Sequence, residues 1–307
     1  MSAPTVPTVP SRALDIEAAA ALPVTPVRRP WQWAASAVVV ALLALLLVSV
    51  AGNSNMGWPV VGDYLFDADI LHGIGWTVLL TVVCMALAVV LGVVVAVLRT
   101  SGNRALSAAA SLFVWFFRGT PLLVQLIFWF NLALVFPELG PAMFFGQGAG
   151  GIDTNDAIDW FTAALLAFGL HEGAYMAEIV RGGFLAVDRG QIEAAESIGM
   201  TSGQLLRRVL LPQALRVIVP PSVNQFVNLF KATSLVAFVS GLDLLSAVQH
   251  IYATNYEVVP LLIVASLWYL ALVSLATLGQ HVLEKRLNQG YGHARVQERK
   301  NPKEAAA

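Results

Sequence analysis

Apolar runs of about 20 residues recur along the chain, the length a helix needs to cross a hydrocarbon core about 30 Å thick at about 1.5 Å per residue. Trp33–Ala51, Trp76–Leu98 and Val258–Leu278 contain no formal charge. Three further runs are apolar but interrupted. Leu106–Phe136 is broken by Arg118-Gly119-Thr120-Pro121, and Trp160–Val180 carries His171, Glu172 and Glu178. Ile218–Val248 holds Asn224, Gln225, Asn228 and Lys231. The pattern predicts six membrane-spanning helices, with the interrupted ones as the working parts. The first run also resembles a secretory signal, because Arg28 and Arg29 precede it and Ser49-Val50-Ala51 closes it. It is longer than the usual apolar region of about 7–15 residues, so a retained helix over 31–52 is expected.

Composition agrees with this pattern. Of 307 residues, 57% are hydrophobic and 12% charged, against roughly 45–50% and about 25% in soluble domains. Mean hydropathy is +0.71, and lipid must be the solvent for much of the chain. The single cysteine, Cys84, excludes a disulfide framework or a cysteine-rich metal site. Charge placement sets orientation. With the N-terminus inside, the outer loops 52–75, 137–159 and 249–257 contain no Lys or Arg but many acids. All the basic residues except Arg118 and Lys231 fall in tails and inner loops, which predicts both termini inside. The proline-rich segment 1–30 reads as a disordered tail, and the basic segment 284–307 reads as a cytoplasmic tail able to touch anionic lipid.

The inner loop 181–217 is the most informative stretch. A short helix over Gln191–Ile198 is expected to stop at Gly199, which suits a left-handed C-terminal position. Thr201 or Ser202 offers an N-cap for a second helix with Leu205, Leu206, Val209 and Leu210 on one face, and Pro212 is expected to end or kink it. Ala194 and Ala195 make the first helix thin, so another protein surface can come close to its backbone. Ala195, Gly199 and Leu205 also fit the loose spacing of a DNA-binding helix-turn-helix. That reading suffers because the loop is pinned between membrane helices without a core of its own, and because Glu193 and Glu196 disfavour phosphate.

Glu193-Ala194-Ala195, then Gly199, then Val209-Leu210-Leu211-Pro212 resembles the EAA motif of permease subunits of bacterial binding-protein-dependent ABC importers. Phe117-Arg118-Gly119-Thr120-Pro121-Leu122-Leu123-Val124-Gln125 is similar to the signature of the polar amino acid branch (histidine, glutamine, glutamate or cystine type). So are Ala174–Gly183 and Asn228–Leu235. The chain departs from the pattern at Val209, where the family has Ile, and at Ala232, where the branch usually has an acidic or amide residue. The resemblance implies an all-α membrane protein with a five-helix permease core over 72–283, the helix at 31–52 being extra. It implies that the loop forms the coupling helices seated in a cytoplasmic ABC ATPase. Glu193 would then be a charged contact, Ala194 and Ala195 the close-packing face and Gly199 the turn, with Pro212 the last residue of the coupling set. It further implies a second permease protomer, the same or a sister chain, an extracytoplasmic amino acid-binding protein, and residence in the bacterial cytoplasmic membrane.

Charges at mid-bilayer are costly and face a bundle interior, a water-filled cavity or a partner. Arg118 precedes helix-breaking Gly119 and Pro121, and its run is too long for one straight crossing, so a bend or an interfacial first half is expected. Arg118 to Gln125 are candidates for the inner half of a translocation path or the seam with a second subunit; Arg118 as a headgroup anchor is the alternative. His171 and Glu172 are candidates for recognising a substrate's amino or carboxylate group, against a buried packing pair. Adjacent residues point to different helix faces, which disfavours a metal site. Glu178 and Arg181, three apart, can pair along one face. Asn224, Asn228 and Lys231 draw a polar stripe, followed by Thr233 and Ser234, that faces a pathway or an interhelical ladder.

No Gly-Lys dipeptide occurs, so a phosphate-binding loop of the G-x-x-x-x-G-K-[ST] kind is excluded. No nucleophile–base constellation is apparent, and the chain is expected to have no catalytic residues or cofactor of its own, with ATP and Mg bound by a partner ATPase. The sequence thus reads as an ABC importer permease working by alternating access. A stand-alone secondary transporter or channel, with His171, Glu172 and Lys231 as a proton relay, is the alternative; it would have no need of the thin helical loop.

Overall fold

A computed structural model describes residues 30–146 and 150–287. The expected tails, 1–30 and 284–307, lie outside the described residues except for Pro30, which opens the first helix, and 284–287, which continue the last. The chain divides into two units, Met1–Met56 and Gly57–Ala307. In the first, α1 (Pro30–Ala51) occupies the stretch read as an extra membrane helix. It is apolar on every side and buries none of its span, a composition suited to lipid all round.

The second unit contains α2 (Trp58–Tyr64), α3 (Ala68–Arg99), α4 (Arg104–Gly119) and α5 (Leu122–Phe130). A minimal hairpin follows, β1 (Glu138–Leu139) pairing antiparallel with β2 (Ile152–Asp153). Then come α6 (Trp160–Leu185), α7 (Arg189–Ser197), α8 (Ser202–Leu205), α9 (Leu211–Ala232), α10 (Leu244–Asn255) and α11 (Val258–Leu287). Helix α6 is central, packing against α3, α4, α5 and α9. One core cluster joins Leu80 and Cys84 of α3, Leu126 of α5, Phe168 of α6 and Leu229 of α9. Another joins Val61 and Ile70 to Leu244, Val248, Leu261 and Val264, fastening α2 and α10 to α11.

Small residues let α3 and α6 approach closely. A Cβ added to Gly92 would lie 2.4 Å from Met176 Cβ, and one on Gly169 would lie 2.5 Å from a Leu87 methyl. Such seams suit helices in lipid, where dispersion contacts replace the hydrophobic drive.

Among the described residues, three helices are long and apolar enough to cross a membrane, within 33–51, 68–99 and 258–286, and five qualify if each of two bent pairs is one crossing. The remaining expected crossing is α6, whose 26 residues give ample length but carry Glu172, Glu178 and Arg181. Helix α3 starts eight residues before the expected span, because Asp67 caps it by accepting from Asp69 N at 2.9 Å and polar Asp69 and His72 fall in its first turns. The 106–136 run bends by 101° between α4 and α5, in agreement with the expected break at Gly119-Thr120-Pro121. The 218–248 run is not one helix. After α9 it tightens to a 3-10 helix (Thr233–Val239), stops at left-handed Ser240, and resumes as α10 at an angle of 45°. Gly241 allows the stop, since a Cβ there would sit 1.9 Å from Val236 Cγ1.

The tight seam yields a paired test. Gly92→Ala should lower the thermal midpoint of the purified chain, at about 1–3 kcal/mol for overpacking. Gly75→Ala, with open space around it, should leave the midpoint unchanged or raise it.

Candidate functional site

The helical elbow between α6 and α9 is built by caps. Asp188 ends the approach from α6 and starts α7 by accepting from Gly190 N at 2.7 Å. At the other end Gly199 adopts φ +78°. Its N–H donates to Glu196 O at 2.9 Å and Met200 N–H donates to Ala195 O at 3.1 Å, the paired bonds of a Schellman termination. Thr201 then caps α8 reciprocally with Gln204, whose Oε1 accepts from Thr201 N at 3.0 Å.

The two alanines divide their roles. Ala195 is buried within the chain, while Ala194 is exposed beside Glu193 and Ser197. Of the two alanines expected to pack against another protein, Ala194 is exposed and Ala195 packs inward. Ile198, which sequence reasoning did not single out, is 75% exposed at the helix end and puts an apolar side chain on this face. Of the two effects expected of Pro212, an end or a kink, the helix does not end there. Leu206–Leu210 form a π-helical stretch in which Leu211 N–H donates to Leu206 O, and Pro212 sits in the first turn of α9. With pairing already shifted, the missing proline N–H is tolerated near a helix start.

The elbow is anchored to the bundle through Val187, Ala96, Val180, Ala214 and Ile218, which share one cluster. Just above it, Glu178 accepts from Arg181 Nε at 2.9 Å and ion-pairs with its Nη2 at 2.8 Å. Arg99, from the end of α3, also bonds Glu178, and Arg118 from α4 comes within 3.4 Å. The guanidinium of Arg118 also lies over the Tyr175 ring, 4.9 Å from its centroid. The Arg181 partner follows from three-residue spacing; Arg99 and Arg118 come from other helices, and no local spacing signals them.

Gln125 braces the sharp break. Pro121 has no N–H to give Phe117 O, and the Gln125 amide supplies one at 3.0 Å. The same nitrogen reaches Thr120 O at 3.2 Å, Thr120 Oγ1 at 2.7 Å and His171 Nδ1 at 3.3 Å. His171 thus faces α5, whereas the next residue, buried Glu172, faces α9 and accepts from Gln225 Nε2 at 3.2 Å. The two do not converge on a common point. Among the described residues, no three His, Cys, Asp or Glu side chains are grouped to hold a metal ion.

On α9, Asn224, Asn228 and Lys231 are all exposed along one side, in keeping with the polar stripe. Asn224 accepts from Gln280 Nε2 of α11 at 3.0 Å. Lys231 and Ser234 line an open recess of about 400 Å³ with Ser266, Tyr269, Leu270 and Val273. Nearby, buried Asp243 caps α10 through Leu245 N and Ser246 N, and accepts from Tyr269 Oη at 3.2 Å. The long apolar context concealed this acid from sequence reading.

Residues 88–289 match the family described as binding-protein-dependent transport system inner membrane component. The chain is similar to the arginine transport system permease protein ArgU of Corynebacterium glutamicum, at 41% identity over 267 residues, 86% of this chain and 83% of that one. It is similar to the L-cystine transport system permease protein TcyB of Bacillus subtilis, at 36% identity over 233 residues, 76% of this chain and 88% of that one. Among solved structures, a crystal structure of an amino acid ABC transporter with histidines superposes with a TM-score of 0.61 at 30% identity, covering 71% of this chain and 94% of that chain.

The brace at the break is testable. Gln125→Leu roughly keeps the volume but removes the amide donor from the half-buried carbonyls of Phe117 and Thr120, and should cost about 1–3 kcal/mol. A thermal midpoint in detergent equal to that of the unaltered chain would remove this role from Gln125.

Proposed function

The chain belongs to the family of binding-protein-dependent transport system inner membrane components, and from this we propose that it is the permease subunit of an ATP-driven importer moving a polar amino acid across the cytoplasmic membrane. The relatives named for arginine and cystine support that substrate class. A multi-spanning, helical membrane chain without a phosphate-binding loop has no means of hydrolysing ATP in the manner of such a loop, so a separate ATPase subunit does that work with ATP and Mg.

The observation that carries the mechanism is the exposed, glycine-terminated helix α7, preceded by Val187, which shares one cluster with residues of α6 and α9. The ATPase receives the face with Glu193, Ala194 and Ile198. Its closure moves the elbow, and Val187 and Ile218 pass the displacement to α6 and α9. Alternating access then follows from a change in how those helices meet their counterparts in a second permease protomer. The exposed polar side of α9, with Asn228, Lys231 and Ser234, faces that seam and the substrate path. Gln125, His171 and Glu172 hold the broken and central helices in register behind it. Arg118 is a junction residue beside the path. An extracytoplasmic binding protein delivers substrate to the outer loops, which carry acids and no Lys or Arg. Six crossings with both termini inside complete the arrangement.

Glu193→Lys should reverse the charged contact, and Gly199→Val should strain the left-handed turn by about 1–2 kcal/mol. Each should reduce co-purification of the ATPase and uptake of labelled arginine or cystine by an order of magnitude or so, while the amount of chain in the membrane stays constant. Uptake that persists undiminished in both variants overturns the coupling role of the elbow.

A further inference from the structure

Three guanidinium groups converge on one carboxylate at the junction of α3, α4 and α6. Glu178 offers two oxygens and one negative charge; Arg99, Arg118 and Arg181 bring three positive charges. Among the described residues, two positive charges therefore remain uncompensated. Each guanidinium carries five N–H donors in a planar fork, and only Nη1 of Arg99, Nη1 of Arg118, and Nε and Nη2 of Arg181 are turned to Glu178. The side chains of Arg118 and Arg181 stay 40% and 35% exposed. The free donors form a fork-lined cationic patch of the kind that matches phosphate oxygens.

Depth and surroundings say which phosphate fits. Glu178 comes about five turns after the start of α6, roughly 27 Å along its axis, which places the cluster near the far boundary of a hydrocarbon core about 30 Å thick. Helix α4, which carries Arg118, turns by 101° from α5 and is amphipathic. Its inner side buries Ala110 and Val114, and its outer side exposes Leu112, Trp115 and Phe116 as a stripe. Trp115 is 72% exposed and stands three residues from Arg118, next to it on the helix surface. A cationic patch bordered by an exposed apolar stripe with an interfacial tryptophan matches a molecule that is anionic at one end and aliphatic along the rest.

We propose that the Arg99–Arg118–Arg181 cluster around Glu178 binds the headgroup phosphate of an anionic phospholipid of the inner leaflet, whose acyl chains lie along Leu112, Trp115 and Phe116. The lipid neutralises the excess charge that Glu178 leaves and completes the junction from which the elbow departs. This rests on the reading that the junction faces the cytoplasm, but its test reads lipid retention rather than transport, so either can fail without the other.

Native mass spectrometry of the purified full-length chain, released from micelles doped with phosphatidylglycerol and phosphatidylcholine, provides the test. The unaltered chain should retain phosphatidylglycerol several-fold over phosphatidylcholine. Arg118→Gln should lose most of that preference. Trp115→Ala alters no charge and no buried contact, and should weaken retention of phosphatidylglycerol as well; it keeps the test open if Arg118→Gln fails to fold. Arg189→Gln, which removes an exposed basic residue of the elbow outside the cluster, should leave the preference intact. Equal retention of the two lipids by the unaltered chain, or an Arg189→Gln loss as large as that of Arg118→Gln, overturns the proposal. Inorganic phosphate added alone should not displace the lipid; if it does so at equal concentration, the patch is a free-anion site and the lipid assignment falls.

Discussion

Two apolar helices in a bilayer gain no hydrophobic energy by leaving lipid for each other, so their pairing depends on how closely their backbones can approach. In this chain that constraint falls on the crossing of α3 and α6. Gly92 admits Met176, and Gly169 and Gly173 admit Leu87 and Leu91. The closeness of that seam determines where the ends of the two helices come to rest. Arg99 ends α3 beside Glu178, and α4, folding back from the turn after Arg99, brings Arg118 to the same carboxylate. The polar junction is thus a consequence of the apolar crossing. It also ties down α4, which otherwise meets the bundle through a small cluster around Val95, Ala110, Val114 and Ala177.

Much of this was legible from residue types and spacing, for identifiable reasons. Continuous apolar length marks α1, α3 and α11, because lipid leaves little room for other composition. Gly199 and Thr201 were readable as stop and start, since left-handed termination and side-chain capping are local events that depend on single residues. The Glu178–Arg181 pair follows from helical spacing for the same reason. Long-range polar contacts were hidden. Arg99 and Arg118 meet Glu178 only once three helices have packed, and Asp243 and Tyr269 approach from separate helices. Ser240 interrupts a run that looked continuous because its flanks are equally apolar. At Pro212 the helix runs on, since the change in pairing before it absorbs the missing N–H, and residue type alone does not tell a stop from such a local change.

The elbow and the bundle are mechanically continuous at two levels. Val187, just before α7, is buried in the same cluster as Ala214 and Ile218 of α9 and Val180 of α6, so the elbow is not a free loop between anchors. One turn higher, the charged junction fixes the same segment of α6 to α3 and α4. A displacement of α7 consequently acts on a braced group of helices. Gln125 extends the bracing to α5 by furnishing the donor that Pro121 lacks, which keeps the sharp break in one geometry.

The π-helical stretch at Leu206–Leu210 has a further effect on such a displacement. It holds one residue more than an α-helical path of the same pitch, and in a uniform helix that surplus can migrate, each peptide handing its hydrogen bond to the next. Here Pro212 has no N–H to hand on. The surplus is trapped on the elbow side, and the membrane part of α9 cannot slip by a residue when pushed. A thrust on the elbow would therefore reach α9 with its register unchanged instead of being spent as a ratchet step along its backbone.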